Sequence, residues 1–219
     1  MKGSRVVPQP ETLVTPIYGE SRSEGRQHVW QTGSVAARDL DRLRAAAPQC
    51  GRLVVVAGYR VGWAHRADVP ETHVFQLNDA LRGADPAQMR ELERAWRCVE
   101  AGWRSGQDVV VACEIGAYRS AGVILCWLTR ARGLSLEAGV ELLDETRGAA
   151  IGRSYRETFG PANRHADGFF GQVVTVCRRT RVCGCERGVV GNEAGEASSQ
   201  PSPLSHSGTL TRSHSDRRE

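Results

Sequence analysis

The chain has 219 residues, 40% of them hydrophobic, which suffices for one domain with a sizeable core and a tail. The net charge is +4, but the basic residues are spread along the chain and form no clustered stripe of the kind that binds nucleic acid. We expect no signal peptide and no membrane span, because no apolar run has the required length. Seven cysteines without framework spacing favour a reducing compartment, so we expect the chain in the cytoplasm, with the nucleus accessible.

The N-terminal part of the chain changes character at about residue 27. Residues 1–26 combine three prolines with serine, glycine and charge, which predicts a flexible arm. After residue 27, short apolar runs typical of strands alternate with segments whose apolar residues have helical spacing. In chain order we predict a strand at 29–30, a helix at 35–47, a strand at 53–57, a loop at 58–70 and a strand at 72–77.

The next part continues this alternation and contains a strong helix start. Asp85 is a good N-cap, Pro86 suits the first helical position, and Gln88 follows three residues after the cap. Strands that are each followed by helices predict an α/β fold with a small central sheet flanked by helices. The further elements that we predict are a helix to residue 104, a strand at 108–112, a helix at 120–132, a helix to residue 147 and a last helix that includes residues 170–177.

Beyond residue 180 glycine, serine, proline and arginine dominate. Such a segment buries too little apolar surface to offset its ordering entropy, so residues 181–219 are predicted to be a disordered tail and residues 27–180 a single domain. Cys183 and Cys185 lie one residue apart without a second pair at zinc-finger spacing. We therefore predict no metal site and no cofactor.

Residues 108–120 carry the most informative pattern of the chain. A β-branched strand runs into a sharp loop that opens on Cys113, has Gly116 in its middle and leads into a helix that begins near Arg119 and Ser120. Loop N–H groups and the positive end of a helix converge at such a point and bind anions. A thiol placed there ionises readily and lies beside a site that fits a phosphate-sized dianion.

The spacing of this cysteine and arginine is not unique within the chain. The pairs Cys98/Arg104 and Cys126/Arg132 have the same separation. Both of these cysteines fall inside helical patterns, where a cysteine is usually a small buried hydrophobe. Only Cys113 follows a β-branched strand and precedes a helix, so the context favours Cys113 as the functional thiol.

The sequence of residues 113–120, CEIGAYRS, resembles the C-x-x-G-x-x-R-[ST] signature of cysteine-dependent protein phosphatases. The order of elements around it is similar to that of the dual-specificity branch, over about residues 27–180. The resemblance implies a dual-specificity-phosphatase-like fold and a metal-independent enzyme. Its substrates would be proteins that carry phosphotyrosine, with phosphoserine and phosphothreonine as further candidates.

The residue types in this loop fit phosphate monoester hydrolysis. Cys113 is the candidate nucleophile that forms a cysteinyl-phosphate intermediate. Arg119 can hold the phosphoryl oxygens through bidentate contacts, and Ser120 can donate a hydrogen bond to the departing thiolate. The resemblance implies the same roles for Arg119 and Ser120. The candidate substrate-binding residues are Glu114, Ile115, Gly116, Ala117, Tyr118 and Arg119.

The leaving oxygen needs a proton from an aspartate on a separate loop. Asp79 and Asp85 both lie between the strand at 72–77 and the following helix. Asp85 is already explained as a helix cap, whereas Asp79 follows the strand end, where the resemblance places the general acid. We therefore favour Asp79.

The loop residues also bear on the substrate. The variable positions include no lysine, and Glu114 is acidic, so inositol phosphates and 5′-triphosphate RNA are disfavoured relative to phosphorylated protein. Tyr59, Arg60 and Trp63 are candidates to line the mouth of the site. The sequence does not determine the oligomeric state.

Two other functions remain open. Ala112 stands where the phosphatases usually have histidine, which favours as one alternative a catalytically weak module that binds phosphoproteins. A rhodanese-type sulfurtransferase also carries a cysteine loop between a strand and a helix. It needs neither an acid nor the serine after the arginine, so Asp79 and Ser120 count against it.

Overall fold

The computed structural model describes residues 10–23, 25–58, 71–78, 85–148, 152, 154–159 and 168–178. The predicted tail at 181–219, with Cys183 and Cys185, lies outside the described residues.

The fold is built on one mixed sheet in the order β1-β2-β5-β3-β4. Strand β1 is antiparallel to β2, and the other neighbouring strands are parallel. The carboxyl ends of the parallel strands therefore meet at one edge of the sheet. The strands are β1 (Val14–Arg22), β2 (Gly25–Gly33), β3 (Cys50–Ala57), β4 (Glu71–Gln76) and β5 (Asp108–Cys113).

Helices cover both faces of this sheet. The described helices are α1 (Ser34–Arg38), α2 (Leu40–Ala46), α3 (Pro86–Arg104), α4 (Arg119–Arg130), α5 (Leu136–Leu143), α6 (Tyr155–Phe159) and α7 (Phe169–Arg178), and a π-helical turn, Asp144–Gly148, follows α5. None of the helices in the described part of the chain is both long and apolar enough to span a bilayer.

The central strand β5 shows how the two layers form. Its side chains alternate, so Val109, Val111 and Cys113 pack with α3, α4 and α7, whereas Val110 and Ala112 pack with α2. Because both faces of β5 are buried, its sequence is a continuous apolar run rather than an alternation of apolar and polar residues. The predicted α/β fold with a small central sheet and flanking helices is confirmed.

The predicted helix start at Asp85 is also confirmed. The Asp85 carboxylate accepts a hydrogen bond from Ala87 N at 2.8 Å, and α3 ends at Arg104 as expected. The prediction of one continuous helix at 35–47 is wrong, because the segment forms two short helices. Asp39 interrupts it by capping α2, where its side chain accepts a hydrogen bond from Arg42 N at 3.0 Å.

The predicted flexible arm at 1–26 is wrong over Val14–Arg22, which is strand β1. This strand pairs with β2 along its length and buries Ile17 in the main core. Tyr18 packs against the rings of Trp103 and Trp127 at centroid distances of 5.7 and 5.4 Å. Pro16 is one of the three prolines that suggested a loop. It lies on an edge strand, which pairs with a neighbour on one side only, and proline is tolerated at such a position.

Candidate active site

Cys113 is the last residue of β5 and lies at the carboxyl edge of the parallel strands. Its sulfur is nearly buried, but it has polar neighbours. Gly116 N donates a hydrogen bond to Sγ at 3.2 Å, and Ser120 Oγ also lies 3.2 Å from Sγ. Such donors stabilise negative charge on the sulfur.

The loop that follows Cys113 turns sharply at Gly116, whose φ is +73°. A Cβ at this position would lie 2.5 Å from Gly33 N and 2.6 Å from the carbonyl carbon of Thr32. Ser34 N also donates to the Glu114 carbonyl at 3.0 Å. The loop is thus packed directly on the end of β2, and only glycine fits at position 116.

Arg119 is the first residue of α4, and its guanidinium is largely buried. It packs over Gly58, just past the end of β3, where a Cβ would lie 3.3 Å from Nη1. On its other side Nη2 lies 3.6 Å from Oε2 of Glu114. The guanidinium therefore lies at the same edge of the sheet as the Cys113 sulfur.

Gln31, a buried residue of β2, connects the loop to Ser120. The two hydrogens of its Nε2 are shared among several acceptors, which include the carbonyls of Gly116 and Ala117 at 3.0 and 3.3 Å and Ser120 Oγ at 3.0 Å. The two carbonyls can only accept, so they fix the orientation of the amide. Ser120 Oγ is thus within hydrogen-bond distance of both Gln31 Nε2 and the Cys113 sulfur.

Arg147 is fully buried beneath the loop. Its Nε donates to the Gly116 carbonyl at 2.8 Å, so the loop is held from below by a charged donor. Burial lowers the pKa of the Arg147 guanidinium, and the nearby Tyr155 and Cys113 groups oppose that change. Further acceptors lie around Nη1, and they include Thr15 Oγ1 at 2.7 Å and the carbonyls of Gln31 and Leu13 at 3.1 and 3.4 Å.

Tyr155 completes this buried network. Its hydroxyl accepts a hydrogen bond from Gln31 Nε2 at 3.3 Å. Burial raises the pKa of Tyr155 to about 12, so the phenol keeps its proton at neutral pH. Sequence reasoning missed Gln31, Arg147 and Tyr155, since nothing local marks a polar residue that will be buried. The only available signal was the position of Gln31 on the same face of β2 as the buried Val29.

The predicted substrate-binding residues of the loop differ in their exposure. Glu114 and Ile115 are exposed, whereas Ala117 is buried, so the side chain of Ala117 contributes to packing. The ring of Tyr118 is half-buried and contacts Phe170 edge-on at 5.7 Å. The structure thus brings Cys113, Gly116, Arg119 and Ser120 together and leaves two loop side chains at the surface.

Of the two candidate acids, only Asp85 lies among the described residues, where it caps α3. Asp79 lies outside them, and so do Tyr59, Arg60 and Trp63. The last described residue before Asp79 is Asn78, whose N–H donates to Gln88 Oε1 at 2.9 Å. The chain therefore leaves β4 beside the first turn of α3.

The other two cysteines with an arginine six residues later lie inside helices, as predicted. Cys98 is in α3 and Cys126 is in α4, where Cys126 Sγ lies 3.9 Å from Cys177 Sγ. Burial raises the pKa of both Cys98 and Cys126. Neither thiol is therefore suited to act as a nucleophile at neutral pH.

No protein-family model and no curated protein sequence matches this chain. Solved structures do match it. One is a variant of human DUSP28, with 21% identity, a TM-score of 0.54 and coverage of 74% of this chain and 92% of that one. Another is the PTP-2 phosphatase of Cydia pomonella, with 15% identity, a TM-score of 0.53 and coverage of 75% and 89%. A leucine-rich repeat and phosphatase domain containing protein from Entamoeba histolytica has 12% identity, a TM-score of 0.52 and coverage of 76% and 92%. At these identities the likeness is one of fold.

Proposed function

We propose that this chain, which has the fold of the dual-specificity and tyrosine phosphatases, hydrolyses phosphate monoesters on proteins. The substrate residue is phosphotyrosine, with phosphoserine and phosphothreonine as further candidates. The observation that carries the proposal is the position of the Cys113 sulfur, 3.2 Å from both Gly116 N and Ser120 Oγ, at the start of a helix that begins with Arg119.

In the first step the Cys113 thiolate attacks phosphorus. The S–P bond forms as the P–O bond to the leaving group breaks, and the leaving oxygen takes a proton from Asp79. Arg119 and the loop N–H groups hold the other phosphoryl oxygens, whose charge is spread over a loose transition state. The product of this step is a cysteinyl phosphate.

In the second step water attacks the same phosphorus. The S–P bond breaks, its electron pair returns to the sulfur of Cys113, and the carboxylate of Asp79 takes a proton from the water. Ser120 donates a hydrogen bond to the departing thiolate, and Gln31, whose Nε2 lies 3.0 Å from Ser120 Oγ, holds the hydroxyl oxygen beside the sulfur. Gln31 is thus a positioning residue for the second step.

This chemistry suits the cytoplasm. A thiolate nucleophile is readily oxidised, and a reducing compartment keeps it active. The partner in the reaction is a phosphorylated protein, because the acidic Glu114 beside the site disfavours smaller and more highly charged phosphate compounds.

The purified protein is expected to hydrolyse an aryl phosphate and a phosphotyrosine peptide in the presence of a metal chelator, because the nucleophile and the charge stabilisation come from the chain itself. Phosphate release measures the reaction, and thiosulfate is the comparison substrate. Sulfur transfer from thiosulfate without phosphate release would assign a sulfurtransferase. Tight binding of the peptide without release would assign a phosphoprotein-binding module.

Asp79→Ala is expected to lower kcat for an alkyl phosphate substrate by about 100-fold, which is typical for loss of a general acid. Asp85→Ala is the matched control, because it removes a helix cap worth about 1 kcal/mol and leaves the chemistry intact. Steady-state kinetics and thermal unfolding of both variants separate the two effects. A larger loss of kcat in Asp85→Ala would reassign the acid to Asp85.

A further inference from the structure

Two large apolar side chains are exposed near the candidate site, one of them in the loop after Cys113. Val35 is 47% exposed and Ile115 is 51% exposed, and no other large hydrophobic residue in the described part of the chain is exposed to this degree. Ser34 N donates a hydrogen bond to the Glu114 carbonyl. Val35 directly follows Ser34 in the sequence, and Ile115 directly follows Glu114. The backbones of Val35 and Ile115 therefore lie close together where β2 and β5 end.

Folding alone does not explain why Val35 and Ile115 are both exposed. A single exposed apolar residue on a surface is ordinary, but these two follow the partners of one hydrogen bond, and Ile115 belongs to the loop that opens on Cys113. The other large apolar side chains in the described part of the chain are buried or partly buried. An apolar side chain from a bound molecule would gain free energy by covering Val35 and Ile115.

The loop residue immediately before Ile115 is the acidic Glu114. The Glu114 side chain is 50% exposed, and its Oε2 lies 3.6 Å from Nη2 of Arg119. A carboxylate at this distance from the phosphate-holding guanidinium repels any further negative charge on a ligand. It attracts a cation that lies next to the phosphate, within the range of about 8 Å over which charges act at physiological salt.

We propose that Val35, Ile115 and Glu114 form a specificity rim around the phosphate cradle. The rim selects a phosphorylated protein segment that carries a large apolar side chain and a basic side chain next to the phosphorylated residue. This inference rests on the proposed function and adds the sequence class of its substrate. An inositol polyphosphate or a nucleoside triphosphate places additional negative charge against Glu114 and lacks the apolar side chain, so the rim disfavours both.

The test is binding of matched phosphotyrosine peptides to the Cys113→Ser protein, measured by fluorescence anisotropy. The peptides differ only at the flanks of the phosphotyrosine, which carry leucine or alanine on one side and arginine, alanine or glutamate on the other. We expect leucine to lower Kd about fivefold relative to alanine, since part of one apolar side chain is buried. We expect arginine to lower Kd about threefold relative to alanine, as for an exposed ion pair.

Variants of the rim then assign each preference to its residue. Val35→Ser and Ile115→Ser are expected to reduce the leucine-to-alanine preference to less than about twofold, whereas Ile115→Leu retains it. Glu114→Gln is expected to remove the preference for arginine. Glu137→Gln, an exposed residue in the first turn of α5, is the charge-matched control and retains both preferences. Each result is a ratio of two Kd values on one protein, so a general loss of affinity does not affect it.

The outcomes separate the rim from the proposed function. Equal Kd values for all peptides, a preference for glutamate flanks, or no binding of any peptide would overturn the rim. Turnover of an aryl phosphate by the unaltered protein tests the chemistry independently. Turnover without a flank preference would refute the specificity rim and support the phosphatase activity. A flank preference without turnover would support the rim and refute the hydrolase activity.

Discussion

Cys113→Ser is expected to lower kcat by about 10⁴-fold or more while phosphopeptide binding persists. A serine hydroxyl is far less ionised than a thiol at neutral pH, and no base lies within the contacts described for Sγ to activate it. The groups that hold the phosphate are unchanged in this variant. Arg119 still packs over Gly58, and the N–H of Gly116 still points into the loop.

The matched control for this variant is Cys98→Ser. Cys98 has the same spacing to an arginine and the same following serine, but it lies in the middle of α3. We expect kcat for Cys98→Ser within about twofold of the unaltered protein, since surface or half-buried changes away from the site have small effects. Acid quench followed by mass spectrometry should detect one phosphoryl group on Cys113 of the unaltered protein. Retained turnover in Cys113→Ser, or loss of turnover in Cys98→Ser, would refute the assignment.

The location of the candidate site could be predicted because its signals are local. A β-branched run that is buried on both faces, a glycine within three residues and a helix start all fall inside residues 108–120. The same spacing at Cys98 and Cys126 lacks the strand, so the context excluded both. The helix start at Asp85 was equally local, because a cap and a proline at the first position are readable from adjacent residues.

The support beneath the loop could not be predicted, because it is assembled from distant segments. Gln31 lies 85 residues from Gly116 in the sequence and Arg147 lies 31 residues from it, yet both bond to its carbonyl. A glutamine in a strand and an arginine near a helix end normally face solvent, and composition gives no reason to bury them. Strand β1 was missed for a different reason: Ile17 is its only buried large apolar residue, so its sequence shows little of the apolar pattern that marks a strand.

Arg147→Met is expected to lower the free energy of unfolding by about 3 kcal/mol and to reduce kcat/KM about tenfold. Methionine approximates the length of the side chain but cannot donate, so the buried acceptors that Arg147 satisfies lose their partner. Among these acceptors is the carbonyl of Gly116, the residue whose N–H contacts the sulfur. Loss of that anchor allows the loop to shift, and a small shift of Gly116 N weakens stabilisation of the thiolate.

Urea unfolding measures the first effect, and steady-state kinetics with a phosphotyrosine peptide measure the second. The control is Arg156→Met, because Arg156 is exposed and its ion pair with Glu141 at 2.7 Å is worth less than about 1 kcal/mol. Arg147→Lys should recover part of the stability, since an ammonium can still donate to one or two of the acceptors.

An Arg147→Met protein as stable as Arg156→Met would show that the buried guanidinium does not hold the loop. A destabilised protein with unchanged kcat/KM would show that the loop keeps its geometry without this anchor, and the positioning of Gly116 N would then rest on its packing against Thr32 and Gly33.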